Sequence, residues 1–466
     1  MRPQDTVEQA LAHARRGGAD GCVVLVEESS SVNLRWAGNT LTTNGVVRHR
    51  SVTVVAVLGG DPDTGEGAAA GVVTRNVADR SGLLALVDQA VAAAREAGPA
   101  EDAAPLVTGP ADPQWAQGPE ETSMAALAGL AAGLGDAFDR ARAEQRELFG
   151  FAAHDVSTTY LGSSTGLRLR HVQPTGKVEL TGKADGRASS AWAGVAVRDV
   201  SEVSVDALDA QVRQRLAWSR RRLDLPAGRY ETVLPPSAVA DLMVYLYWSA
   251  AARDAHEGRT VFSRPGGGTR VGERLAHLPL TLRSDPAAPG LQCPAYVLTA
   301  ASSSAASVFD NGLPLSPTSW LDRGRLAALL QTRFSAALTG LPLTPPVDNL
   351  LLELPGADGS LTDLVGRTER GLLVTCLWYI REVDPQTLLL TGLTRDGVFL
   401  IEQGEVVGAV NNFRFNESPV GLLGRISEVG ATEPTLPREW SDFFTRAAMP
   451  PVRVPDFNMS TVSAAQ

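Results

Sequence analysis

The apolar positions in the first hundred residues predict helices packed on an antiparallel sheet. The first helix is expected to begin with a capping box formed by Asp5 and Glu8 and to end at Gly17-Gly18. Stretches of β-branched or alternating apolar residues then predict strands, at 23–26, 32–36 and 46–58. A second helix is expected to begin near Asn76 and to end at Gly98-Pro99, because leucine and valine recur there at helical spacing.

The stretch from 99 to 119 has no hydrophobic periodicity and is rich in Ala, Pro, Asp and Gly. Such a composition is typical of a surface linker, so it predicts a domain boundary. Beyond it, helices are expected over 120–147 and 203–222, with β-rich segments between them at 148–160, 167–172 and 177–183. This order predicts a small α+β domain that ends at Pro226-Ala227-Gly228.

The remaining residues predict a larger β-rich domain with packed helices. A strand at 230–234 precedes a helix with a strongly apolar side, and a further helix is expected from Arg325 to Thr339. Three later strands, at 387–393, 398–402 and 405–410, predict a meander that turns at Asp396-Gly397 and Gln403-Gly404. The chain is therefore expected to be a multidomain α+β protein, with a mixed α/β domain at 1–110, an α+β domain at 111–225 and a β-rich domain at 226–466.

Composition narrows the class of protein. With 44% hydrophobic and 20% charged residues, the 466-residue chain has the profile of a soluble globular protein. A formal net charge of -10 gives no basic patch for nucleic acid, and no apolar run reaches the roughly 18 to 20 residues of a membrane span. Three distant cysteines without a CxxC pair favour a reducing cytoplasm. The Ala-, Gly- and Arg-rich composition is associated with GC-rich bacterial genomes.

A zinc peptidase motif is incomplete in this sequence. Zincins use two histidines one helical turn apart, as in HExxH or HExxxH, with the glutamate acting on the bound water. The only His-Glu pair, His256-Glu257, has no second histidine at either spacing, so a solvated turn is the preferred interpretation. Glu273 and His277 stand four residues apart, which is common on helices for reasons unrelated to metals.

Other catalytic patterns are missing or nonspecific. The sequence has no GxSxG motif, and Cys293 and Cys376 lie in apolar stretches typical of small core residues. The glycines at 266–268 lack the GKS/T ending of a phosphate-binding loop. No catalytic, metal-binding or cofactor-binding residue is therefore assigned to this chain.

The order of segments resembles the TldD/PmbA (TldE) family of metallopeptidase-related proteins. The resemblance to the third domain of that family rests on the helix and following segment at 241–263, the turn at 309–312, the stretch at 320–340, and the segments at 371–375 and 396–404. In the first half, the region of Asn39, the strand at 52–58, the helix near Asn76 and the turn at 160–166 resemble the first part of the family. The resemblance rests on the collinear order of these segments along the chain, because no single motif among them is specific to the family.

The departures from the family pattern suggest a non-catalytic member. In the catalytic TldD half, HExxxH and a cysteine near the C-terminus supply the zinc site; here the second histidine is missing and no cysteine follows Cys376. One remaining imidazole cannot offset the desolvation of the ion. The resemblance thus implies a TldE-like, cytoplasmic, metal-free subunit that pairs with a zinc-bearing TldD-like subunit around a chamber for unfolded or short peptides. Self-association is expected when the chain is produced alone.

Two alternatives stay open on the sequence. The chain could be a self-sufficient metallohydrolase with a divergent site built from His256, Glu257, Glu273 and His277. It could instead be a peptide-binding scaffold that no longer takes part in proteolysis. Strand addition is the expected mode of peptide binding, because main-chain hydrogen bonds tolerate any sequence, but the residues that line the chamber are not identified.

Overall fold

The N-terminal half of the chain is built on one antiparallel sheet of six strands, and the computed structural model describes residues 1–61, 63–77 and 79–463. The strands are β1 (Gly21–Trp36), β2 (Leu41–Leu58), β3 (Ala69–Arg75), β4 (Glu147–Ser163), β5 (Arg168–Ala184) and β6 (Ser189–Val197). Their order is β3-β2-β1-β4-β5-β6. Because β1 pairs with β4 from Val23 opposite Ser163 to Trp36 opposite Gly150, the sheet continues across residue 110.

Two pairs of helices cover this sheet. They are α1 (Pro3–Arg16), α2 (Arg80–Glu96), α3 (Ala128–Ala143) and α4 (Val205–Trp218). The first pair packs on β1, β2 and β3 and buries Val7 and Leu83, whereas the second packs on β4, β5 and β6 and buries Leu134 and Val212. Each pair follows the amphipathic spacing of its sequence. The division into domains at 110 stays a prediction.

Three local predictions in this half are wrong. Helix α1 begins at Pro3 without a side-chain cap, so Asp5 and Glu8 form no capping box and instead pair with Arg2 and Arg168. Helix α2 begins at Arg80, capped by Asp79, rather than near Asn76. The helix expected over 120–147 is regular only in α3, after a 3-10 turn at Met124–Leu127.

The segment at 99–119 has no helix or long strand but is not a loose surface linker. Leu106 and Val107 pack against the core formed by Val23, Val57 and Leu161. Partly buried apolar contacts of this kind hold the segment against the sheet. The prediction of a surface position is therefore wrong for the middle of the segment.

The C-terminal half contains two further sheets. Its strands are β7 (Arg222–Leu223), β8 (Gly228–Leu234), β9 (Thr281–Ser284), β10 (Thr318–Asp322), β11 (Arg325–Leu326), β12 (Leu350–Glu353), β13 (Arg370–Val374), β14 (Leu377–Asp384), β15 (Leu389–Thr394), β16 (Val398–Glu402), β17 (Glu405–Val410), β18 (Phe413–Glu417), β19 (Glu428–Val429), β20 (Glu433–Thr435), β21 (Ala447–Met449) and β22 (Val452–Val462). Its helices are α5 (Pro236–Trp248), α6 (Ala252–His256), α7 (Arg333–Thr339), α8 (Leu361–Gly366) and α9 (Pro419–Leu423).

The two sheets share one hydrophobic core. The smaller has the order β11-β10-β9-β12-β21-β20 and the larger β14-β15-β18-β22-β8-β13-β16-β17-β7, with β19 beside β22. Helix α5 is buried in this core through residues such as Val239, Leu242 and Met243, as its apolar pattern predicts. The multidomain α+β class is confirmed. No helix of the described ranges is long and apolar enough to cross a membrane.

Two predictions in this half are wrong. The helix expected from Arg325 exists only as α7, ended by Gly340 in a left-handed conformation, because Arg325–Leu326 form a strand. The Asp396-Gly397 turn does not join a hairpin, since β15 lies between β14 and β18 while β16 lies between β13 and β17. The hairpin at Gln403-Gly404 is confirmed by the pairing of β16 with β17.

Candidate functional site: a cleft at the edge of the first sheet

A cleft of about 590 Å³ lies between the first sheet and the C-terminal half, and we call it the edge cleft. Strand β6 and helix α4 form one wall, and α8, β13 and β17 contribute to the other. Apolar side chains from both walls line it: Trp192, Val195, Trp218, Leu361, Leu373 and Val406. Its volume is within the range of ligand-binding clefts in proteins.

Strand β6 presents a free backbone edge to this cleft. It pairs with β5 and with no other strand of the described residues. The carbonyl of Trp192 accepts a hydrogen bond from the Arg215 side chain, so it points away from β5. Since backbone groups alternate in direction along an antiparallel strand, those of Gly194 and Ala196 point the same way. The edge can therefore accept an added strand.

The indole of Trp192 is fixed across this edge by its neighbours. Its Nε1 donates to Glu179 Oε2 at 3.1 Å. A side chain on Gly194 would overlap the indole, so glycine is needed there for the ring to lie along the strand. The Arg438 guanidinium stacks over the same ring, 5.2 Å from its centroid. The ring is thereby held rigidly at the border of the cleft, where it is almost fully buried.

A buried ion pair borders the cleft beside Trp192. Arg438 and Asp396 are joined by an Nη2–Oδ2 distance of 2.7 Å, and both side chains are at least nine-tenths buried. The Ser190 hydroxyl donates to the other carboxylate oxygen of Asp396 at 2.6 Å. Arg438 also stacks on Trp378, with its guanidinium 5.0 Å from the ring centroid. The charge of Asp396 is therefore neutralised within the protein.

A second cavity of about 510 Å³ lies beyond this ion pair, and we call it the basic cavity. Its lining includes the basic side chains of Lys183, Arg187, Arg222 and Arg395, together with the carboxylates of Asp224 and Asp396. Ser189 and Ser190, the first residues of β6, also line it. The basic cavity and the edge cleft therefore lie along the same strand.

The two carboxylates considered as metal ligands, Glu257 and Glu273, are placed in ion pairs with arginine. Glu257 lies 3.0 Å from Arg253 and 2.5 Å from Arg259, and the hydrogen bond from Arg253 lowers its pKa. Glu273 is held by Arg270 at 2.8 Å and Arg264 at 3.4 Å, and the Arg270 hydrogen bond lowers its pKa. His256 ends α6, and His277 is exposed. Among the described residues, no three His, Cys, Asp or Glu side chains form a group suited to a metal ion.

All three cysteines are buried free thiols. Burial raises the pKa of Cys22, Cys293 and Cys376 to about 12, which disfavours the reactive thiolate. Cys376 accepts a hydrogen bond from Arg438. The expectation that Cys293 and Cys376 are core residues is confirmed.

Residues 227–461 match the family model described as the PmbA/TldA metallopeptidase C-terminal domain. The chain belongs to the PmbA/TldD family. This match covers the part of the chain that supplies α8, β13 and β17 to the edge cleft, whereas β6 and α4 precede it. No curated protein sequence matches the chain. The resemblance inferred from the order of segments is confirmed.

Solved structures share the fold along nearly the whole chain. TldE from Thermococcus kodakarensis superposes with a TM-score of 0.77 at 17% identity, covering 97% of this chain and 99% of that one. Proteins of Thermotoga maritima and Bacteroides thetaiotaomicron, each named as a proposed modulator of DNA gyrase, give TM-scores of 0.75 at 15% identity. Both comparisons cover 98% of this chain and 99% of the other. At these identities the likeness shows the fold alone.

A buried carboxyl in the family domain was missed by sequence reasoning. Asp241 is fully buried on α5, where it accepts the Glu439 amide at 2.9 Å and, through its own carbonyl, the Trp440 indole N–H at 2.8 Å. Its second carboxylate oxygen has no partner among the described residues. Burial raises the pKa of this carboxyl well above its usual range and so favours the neutral form. Asp241 thereby fixes the segment that carries Arg438.

Of the features that sequence reasoning missed, only Asp241 has a signal in the sequence. Asp241 is the one acidic residue in the apolar helix α5. Because burying a carboxyl is costly, its presence there indicates a structural or functional role. The edge position of β6, in contrast, has no signal in the sequence. It depends on which strands pair in the folded chain, and Ser189–Val197 was not predicted as a strand.

Proposed function

We propose that this chain is the metal-free partner subunit of a cytoplasmic two-protein TldD/TldE-type peptidase. It would hold an unfolded or short peptide in the edge cleft and pair with a TldD-like subunit that carries the zinc. The observation that supports this most is the unpaired edge of β6 facing a cleft lined with apolar side chains. An extended peptide can add to such an edge through its main chain, while the apolar walls accept alternate side chains.

The proposed peptide is an extended chain rather than a folded domain. The edge strand offers the backbone groups of Gly194 and Ala196, which suit main-chain pairing with any sequence. Val195, Trp218 and Val406 are partly exposed in the cleft and supply apolar surface for side chains of different shapes. Broad acceptance of unfolded or short peptides follows from these two features.

The side chains of this chain favour a non-catalytic role. Glu257 and Glu273 would each have to leave two arginines before either could act on a metal-bound water. The cysteines are buried thiols with a pKa of about 12. The hydrogen bonds from arginine lower the pKa of Glu257 and Glu273, which makes both carboxylates weaker general bases.

Reconstituted peptide cleavage tests the proposal. Cleavage of an unfolded peptide is measured with this chain alone, with a TldD-like protein of the same genome alone, and with both. We expect efficient cleavage only with both, and the same rate with His256→Ala in this chain. Cleavage by this chain alone that His256→Ala abolishes would establish the divergent hydrolase, and binding without cleavage under all conditions would establish the scaffold.

A further inference from the structure

Among the described residues, the basic cavity is lined by more basic than acidic side chains: Lys183, Arg187, Arg222 and Arg395 against Asp224 and Asp396. Arg187 is paired with Glu147 at 2.7 Å, and Asp396 is paired with Arg438. Neither Lys183 nor Arg222 forms an ion pair with a carboxylate of the described residues. An anion is therefore favoured in this cavity, although the chain as a whole has a net charge of -10.

The donors of the cavity also lack strong acceptors. Arg222 donates to the neutral hydroxyl of Ser189 at 3.0 Å, and the Lys183 ammonium lies 5.6 Å from the centroid of the Phe149 ring. The Nε of Arg395 is buried without a hydrogen-bond partner among the described residues, 3.7 Å from Asp396. Among these donors only the Arg395 Nε is buried, which makes its missing hydrogen bond costly, whereas Arg222 is exposed. A carboxylate is the group that guanidinium donors match best.

The direction of β6 decides which end of a peptide reaches the cavity. The strand begins at Ser189 and Ser190, in the basic cavity, and continues through Trp192 to Val197 along the edge cleft. A peptide added antiparallel to β6 has its C-terminus at the Ser189 end, and beyond Gly194 it replaces the Arg215 side chain at the Trp192 carbonyl. A parallel peptide would place its N-terminal ammonium beside Arg222 and Arg395, where like charges repel.

We propose that the basic cavity binds the C-terminal carboxylate of a peptide that adds antiparallel to β6. This inference rests on the proposed function, because it needs a peptide on β6, and it adds a polarity and an end specificity to that binding. Arg222 and Arg395 would hold the carboxylate through charge-assisted hydrogen bonds, and Lys183 would add attraction at longer range. The chain would thus select free C-terminal ends of unfolded peptides.

Binding of matched peptides tests the proposal. One unfolded sequence, labelled at its N-terminus, is prepared as the free acid and as the C-terminal amide, and titrated against the full chain alone and with its TldD-like partner kept free of zinc, so that the peptide is not cleaved. We expect the free acid to bind about tenfold more tightly than the amide, as the loss of a charge-assisted contact implies. Equal affinities would overturn the carboxylate site while leaving the proposed function standing, and binding of neither peptide would overturn both.

Variants assign the effect to the cavity. The double variant Arg222→Gln with Arg395→Gln should reduce free-acid affinity to that of the amide and leave amide binding unchanged. Arg16→Gln, on the exposed face of α1, removes one charge elsewhere and should change neither affinity. Thermal unfolding of each variant shows whether the fold is kept, and Lys183→Gln provides a milder change if the double variant fails to fold. A free-acid preference that survives all of these changes would contradict the proposal.

A competition experiment distinguishes a site for a peptide C-terminus from a site for a free small anion. Inorganic phosphate and acetate are titrated against the bound free-acid peptide. We expect displacement only at concentrations far above the peptide affinity, because the main-chain contacts on β6 would be lost. Displacement by phosphate at concentrations near the peptide affinity would identify a site for small anions and overturn the assignment to the peptide C-terminus.

Discussion

At the scale of single residues, Asp241 links the core to the edge cleft. Burial in an apolar helix raises the pKa of this carboxyl, which favours its protonated form. The hydrogen bonds of Asp241 fix the segment at 438–440, from which Arg438 contacts Asp396 and Trp192. The folded chain holds the Asp241 proton at pH values where the unfolded chain has already lost it. The raised pKa therefore lowers stability as the pH rises above about 4, since the folded state binds more protons there.

The variant Asp241→Asn tests this linkage. The amide keeps an acceptor for the Glu439 N–H but cannot titrate. We expect the wild-type free energy of unfolding, relative to that of the variant, to fall between pH 4.5 and pH 8 in denaturant titrations. Asp136→Asn, at an exposed position of α3, is the control and should follow the wild-type profile. Parallel profiles for Asp241→Asn and wild type would show that this carboxyl does not carry the raised pKa.

At the scale of elements, the edge cleft depends on β6 keeping one side unpaired. Ala196→Pro removes an N–H that points away from β5, and edge strands tolerate proline at such positions. We expect the variant to lose most peptide binding while its thermal unfolding changes little. Val195→Pro removes an N–H that points toward β5 and bonds to it, so this variant should instead have lower stability. Unchanged peptide affinity in Ala196→Pro would contradict strand addition at this edge.

Local patterns predicted some elements and failed at others for physical reasons. Helix α5 was predictable because its apolar residues follow one helical period. The helix expected from Arg325 was wrong because Leu326, Leu329 and Leu330 are buried in extended and irregular backbone, where apolar spacing looks the same. Asp396-Gly397 has the composition of a hairpin turn, but strand order is set by the whole sheet.

The candidate site was not predictable from the sequence for the same reason. The sequence identified Glu257 and Glu273 only as unconvincing ligands, and the structure places both in arginine ion pairs. The edge cleft and the basic cavity bring together residues more than 200 positions apart, such as Ser190 and Asp396. Contacts of this kind follow from the packing of two halves and leave no local pattern.

At the scale of the whole molecule, the segment at 99–119 ties the two halves together. Arg333 on α7 donates to the Pro105 carbonyl at 2.8 Å and pairs with the buried Asp310 at 2.6 Å. Removing this guanidinium would leave the Asp310 charge buried without its partner. Such losses typically cost about 3 kcal/mol.

The variant Arg333→Ala therefore tests the attachment of the two halves. We expect a lower free energy of unfolding by about 3 kcal/mol and easier proteolysis within 99–119. The control Arg48→Ala breaks an exposed pair with Glu121 and should leave stability unchanged. If Arg333→Ala is as stable and as resistant as Arg48→Ala, the segment is not held by this contact.

Metal content and mass test the central claim most directly. The chain is purified alone and after co-production with a TldD-like protein of the same genome, and zinc per chain is measured beside the mass of the assembly. We predict no stoichiometric zinc in the chain alone, even if it self-associates, and one zinc per heteromer in the complex. Stoichiometric zinc in the isolated chain, lost on His256→Ala or His277→Ala, would contradict the account of a metal-free partner subunit.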